Sequence, residues 1–174
     1  MIFHRLLLSA TTIILLFAGS TSADDATLFV AGMEIRLGMA KEEVFSRLGS
    51  GYSFSEAGKN WYYIKETMGS KTRLIGGINL QDNKVSSISK WWGTFYAKDA
   101  LDCAIELHSA LRNFQEVSGN QVIVHASETR STPGLRISEI EFLSGSRKLT
   151  VSILEGDKSS GQRQVSIQET LSVK

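Results

Sequence analysis

Few residues in this 174-residue chain are of the types that do chemistry. There is one cysteine, Cys103, and of three histidines only His108 and His125 lie in the body of the chain. A Cys-His pair would suit nucleophilic catalysis, and a Cys/His cluster would suit zinc. The spacing serves neither. Cys103 and His108 are five residues apart, so on a helix they point about 140° apart. No C-x-x-C, H-E-x-x-H, G-x-S-x-G or Walker loop occurs, and "GSGYSF" at 49–54 misses the last glycine of G-x-G-x-x-G. Glu42 and Glu43 are adjacent and diverge on a helix, so they read as partners of the helix dipole rather than as an acid/base pair. His108 reads as a structural histidine on an apolar helix face, and Cys103 as a small buried residue. These patterns predict a protein that is not an enzyme, with no catalytic residue, no metal and no cofactor.

The aromatic residues offer a different chemistry, that of recognition. Trp61, Tyr62, Tyr63, Trp91, Trp92, Phe95 and Tyr96 fall in two short strands and the segment after one of them. Neighbours in a strand face opposite sides of a sheet, so Trp61 and Tyr62 must separate, as must Trp91 and Trp92. Ile64 and Ile88 suit a helix-covered face and take Tyr62 and Trp92 with them. Trp61, Tyr63 and Trp91 are then the outward set and the expected partner-binding residues, since Trp and Tyr dominate binding hot spots. The competing reading covers these rings with the N-terminal segment or the second helix. A bulge at Gly76-Gly77 would exchange the two sides.

The elements that position these rings follow from periodicity. Residues 24–31 lead in as a linker or edge strand. A short helix spans 41–48, with Val44 and Leu48 inward and Gly49 free to take a left-handed C-cap conformation. Residues 49–60 read as a Gly/Ser-rich loop. "WYYIKET", "RLIGGINL" and "VSSISKWWG" read as strands joined by "MGSK" and "QDNK" turns. Residues 97–114 give the clearest helix, with Leu101, Ala104, Leu107, His108, Leu111 and Phe114 at helical spacing. Four strands complete the chain, with alternation clearest in Leu149-Val151-Ile153. "SGSR" and "GDKSSGQ" are turns. The order α-β-β-β-α-β-β-β-β predicts an α+β fold of two tandem helix-plus-antiparallel-meander units, arranged as helices on sheet.

An uncharged apolar run after Arg5, ending in "STSA", reads as a signal peptide over 1–23 and predicts an exported protein, periplasmic or secreted. Cleavage there leaves 18 Lys and Arg against 18 Asp and Glu. That balance favours neither nucleic acid nor an acidic membrane surface. One cysteine forms no internal disulfide, so stability rests on packing.

The stretch "LGMAKEEVFSRLG", followed by a loop, an aromatic strand and "INLQDNKVSSISKWWG", resembles the SmpA/OmlA (BamE-like) domain and the β-lactamase-inhibitor-protein-like fold. The resemblance covers roughly residues 35–93. It implies a helical layer on a small antiparallel sheet, sometimes duplicated. Ala40 stands where the family carries a capping Thr or Ser, and the lipoprotein cysteine is missing. The expected organisation is a signal peptide over 1–23, a BamE-like unit over 24–93 and a helix-plus-four-strand unit over 94–174, in one globular body. The function expected is a non-enzymatic protein-binding or inhibitor-type module. An envelope scaffold or outer-membrane assembly factor is the alternative, and an enzyme of unknown class the third.

Overall fold

The computed structural model describes residues 26–118, 121–132, 135–156 and 163–173. The expected signal segment 1–23 and most of the "GDKSSGQ" turn lie outside the described residues. The described residues open with a hairpin of β1 (Thr27–Val30) and β2 (Met33–Arg36), then α1 (Lys41–Ser46). Four strands follow: β3 (Tyr52–Gly58), β4 (Trp61–Met68), β5 (Lys71–Gln81) and β6 (Lys84–Tyr96). A 3₁₀ turn over Ala97–Asp99 leads into α2 (Ala100–Ser118). The last four strands are β7 (Ile123–Thr132), β8 (Leu135–Ser144), β9 (Arg147–Glu155) and β10 (Arg163–Ser172).

Eight strands form one antiparallel sheet in the order β3-β4-β5-β6-β10-β9-β8-β7. This overturns the expected α+β fold of two helix-plus-meander units. The described residues are mostly strand, with two α-helices and a separate two-stranded hairpin. Three physical facts account for the difference. α1 has only six residues, too few to stand as a layer without its neighbours. The Gly/Ser-rich segment 49–60 contains β3, whose Tyr52 and Phe54 alternate with Ser53 and Ser55 across the sheet. β6 then pairs with β10 from Ser87 to Tyr96, which fuses the two meanders into one continuous sheet.

The turns obey local chemistry. Asp82 and Asn83 both have positive φ, 51° and 59°, as a two-residue type I′ hairpin requires. The β4–β5 register shifts where Ile64 opposes Gly76 and Lys65 opposes Leu74, leaving Ile75 as the extra residue of a bulge beside the glycine pair. A second bulge in β6 leaves Trp92 unpaired between Trp91 and Gly93.

All the described covering elements lie on one face. The β1–β2 hairpin and α1 pack over one half, burying Val30, Ile35 and Val44 against Ile64, Ile78, Ile88 and Leu171. α2 packs over the other half, burying Ala110 and Phe114 against Phe95, Leu149 and Ile167. The inward stripe of α2 differs from the expected one. Cys103, Leu107, Ala110, Leu111 and Phe114 face the sheet, whereas Leu101, Ala104 and His108 are exposed. Cys103, Leu107, Ala110 and Phe114 follow steps of four, three and four residues, a helical stripe turned away from Leu101. In α1, Ala40 is the N-cap and makes no side-chain capping bond. The helix closes at Arg47 in a right-handed conformation, so Gly49 does not serve as the left-handed cap.

Candidate functional site

The opposite face of the sheet carries Trp61, Tyr63 and Trp91 together. Tyr63 pairs with Gly77 across β4–β5, and Gly77 with Ser89 across β5–β6; Trp91 lies two residues beyond Ser89 on the same face. Trp61 and Tyr63 meet edge to face at 6.4 Å between centroids, and Tyr63 and Trp91 at 6.0 Å. Offset and edge-on ring contacts of this kind are favourable through the ring quadrupole. Each of the three side chains is half-buried. A Cβ on Gly77 would lie 3.1 Å from the Trp61 ring, so the absence of a side chain there leaves room for the indole. Tyr62 points the other way, against Phe45 of α1, and its hydroxyl accepts a 2.8 Å hydrogen bond from Lys41. That bond holds the Lys41 ammonium above its ordinary pKa.

Beside the rings the open face is a field of small polar groups. One row runs Trp91, Gln168, Thr150, Glu141 and His125 across five strands. The next runs Thr94, Ser166, Ser152, Glu139 and Ser127. Lys148 binds Glu141 at 2.8 Å and Ser152 donates to Glu139 at 2.9 Å, so both carboxylates are engaged.

Sequence reasoning missed a charged cluster on the covered face. Glu169 is fully buried and its carboxylate takes hydrogen bonds from Arg147 at 2.6 Å and from the Trp92 indole at 3.3 Å. Arg147 also donates to the Thr27 carbonyl, tying β9 to the hairpin. Lys90 sits directly across from Glu169 in the β6–β10 ladder, with its ammonium 3.6 Å from the Trp92 ring centroid. Burial lowers the Lys90 pKa, against the opposing pull of Glu169 and Glu106. The signal was in the alternation: Lys90 lies between Ile88 and Trp92 in core phase, and Glu169 between Ile167 and Leu171.

His108 and His125 are both exposed, on α2 and on β7, so His108 is not the buried structural histidine expected. Cys103 is half-buried on the sheet-facing side of α2, where burial raises its thiol pKa. Among the described residues no three His, Cys, Asp or Glu side chains group as metal ligands would. No helix among the described residues is long and apolar enough to cross a membrane. Comparison with protein-family models, with curated proteins and with solved structures gave no match.

Proposed function

We propose that this chain is an exported, non-enzymatic binding module that holds a protein partner against the open face of its sheet, in the manner of an inhibitor or adaptor. The observation that carries this reading is the cluster of Trp61, Tyr63 and Trp91 on a face that no described helix or hairpin covers. Interlocked rings offer a large, rigid, amphipathic contact area that loses little side-chain entropy on binding. The polar rows beside them supply hydrogen-bonding groups for a rim. The export address rests on the apolar, uncharged run that follows Arg5.

The test is capture from envelope extracts, read by mass spectrometry, with Trp61→Ala and Trp91→Ala in parallel. Both variants should keep the wild-type melting transition and each should weaken capture by about 2 kcal/mol or more. Unchanged capture by the two variants would remove the aromatic cluster from the binding surface. Collapse of the melt in both would make the rings structural.

A further inference from the structure

We propose that Lys90 forms the floor of a binding site for a small monocarboxylate with a short apolar tail, in the cleft between the β1–β2 hairpin and α2. This site lies on the covered face, away from Trp61, Tyr63 and Trp91, and does not depend on the proposed partner surface. Lys90 projects into a gap that the two covering elements leave between them. Its ammonium rests on the Trp92 ring; among the described residues it makes no hydrogen bond or close ion pair, and Glu169 and Glu106 attract it only from a distance. The nearest carboxylate in the ladder, Glu169, is already committed at both oxygens: Oε1 to Arg147 and Oε2 to the Trp92 indole. A half-buried cation without a hydrogen-bonded counter-ion is unfavourable, and an anionic ligand relieves that penalty.

The cleft states what sort of anion. Its volume is about 220 Å³, below the roughly 300–1,000 Å³ of pockets that take drug-sized ligands, so the occupant is small. Lys90 and Asn113 are its donors, and a carboxylate can accept from the ammonium and the side-chain amide together. Phe29 and Val117 give apolar lining for a short hydrocarbon tail, while Leu28, which also borders the cleft, has its side chain in the core. The charge count selects a single negative charge. Arg147 lines the cleft but is paired with Glu169, Glu34 stands exposed at the rim, and Glu106 acts on Lys90 from α2, so a dianion would face two further carboxylates with one ammonium to answer them.

The experiment titrates the full chain with hexanoate, acetate and inorganic phosphate by calorimetry, and follows the Lys90 side-chain signals by NMR. Hexanoate should bind saturably and move the Lys90 signals. Acetate, lacking the tail, should bind more weakly, and phosphate should not bind. Lys90→Met keeps the stem over Trp92 and removes the charge, and should weaken hexanoate about tenfold or more. Trp61→Ala should leave hexanoate binding unchanged, whatever it does to partner capture. Equal hexanoate binding by Lys90→Met, binding that leaves the wild-type Lys90 signals still, or the absence of saturation in the millimolar range would each overturn the proposal. The NMR readout on the wild-type chain decides the matter even where the variant does not fold.

Discussion

The two faces of the sheet solve opposite problems with the same eight strands. On the covered face, isoleucine, leucine and valine meet a hairpin and two helices, Arg147 and Glu169 are locked in an ion pair, and Lys90 rests on the Trp92 ring. On the other face, serine, threonine and glutamine line the strands, and among the described residues three aromatic rings pack on one another and against a glycine. The difference teaches where each kind of energy sits. Burial of apolar side chains on one side supplies the bulk of the folding free energy, at about 25 cal/mol per Å² removed from water. The open side contributes less to stability and retains chemically varied surface for recognition.

The comparison is broken most severely by removing the charge buried on the covered face. Glu169 is 0% exposed and Arg147 is 6% exposed. Glu169→Ala strips the arginine of its carboxylate and the Trp92 indole of its acceptor. Loss of one partner of such a buried pair should cost about 3–5 kcal/mol. Denaturant unfolding of the variant against wild type measures it. A loss under 1 kcal/mol would mean that water reaches this pair and that the covering layer is looser than its packing implies.

Much of this division was legible in the sequence, because strand alternation assigns faces without knowing the fold. Ile64 and Ile88 placed Tyr62 and Trp92 under cover, and Trp61, Tyr63 and Trp91 on the other side, which is where the structure has them. The fold class was not legible for a physical reason. Nothing local states that β6 will pair with β10, 77 residues on, as in the Trp92–Glu169 contact. β3 was hidden because Gly and Ser dominate 49–60, and composition masked the period of Tyr52 and Phe54. Lys90 and Glu169 were readable from core-phase alternation, but only once a charge in that phase is treated as a signal.

The glycine pair sharpens the comparison, since adjacent residues point to opposite faces. A Cβ on Gly76 would lie 2.6 Å from the Ser89 carbonyl oxygen and 2.6 Å from Val30 of the hairpin. A Cβ on Gly77 would lie 3.0 Å from the Tyr62 carbonyl oxygen and 3.1 Å from the Trp61 ring. The first clash is with backbone and a buried wall, and the second involves in part a ring with open space beside it. Gly76→Ala should therefore cost about 1–3 kcal/mol, with Gly77→Ala below it. Thermal melts of the two variants rank them. Gly77→Ala should also perturb Trp61 fluorescence, while equal losses would show that the open face is packed as tightly as the covered one.

The smallest effect comes from the covering layer itself. α1 starts at Lys41 with Ala40 as its N-cap, φ −68° and ψ 146°, an extended geometry suited to a capping side chain. Alanine has no oxygen to offer the first-turn backbone N–H groups, although Glu42 and Glu43 already favour the positive end of the helix. Ala40→Thr supplies the acceptor and should stabilise the protein by about 0.5–2 kcal/mol. Ala40 also bridges to Lys84 at the start of β6, and that contact uses backbone groups, which the substitution leaves in place. The gain should appear as a rise in midpoint denaturant concentration at unchanged slope, because the cap adds no buried surface. A neutral or negative result would show that the bridge to Lys84, rather than the missing side-chain bond, limits how firmly α1 sits on the covered face.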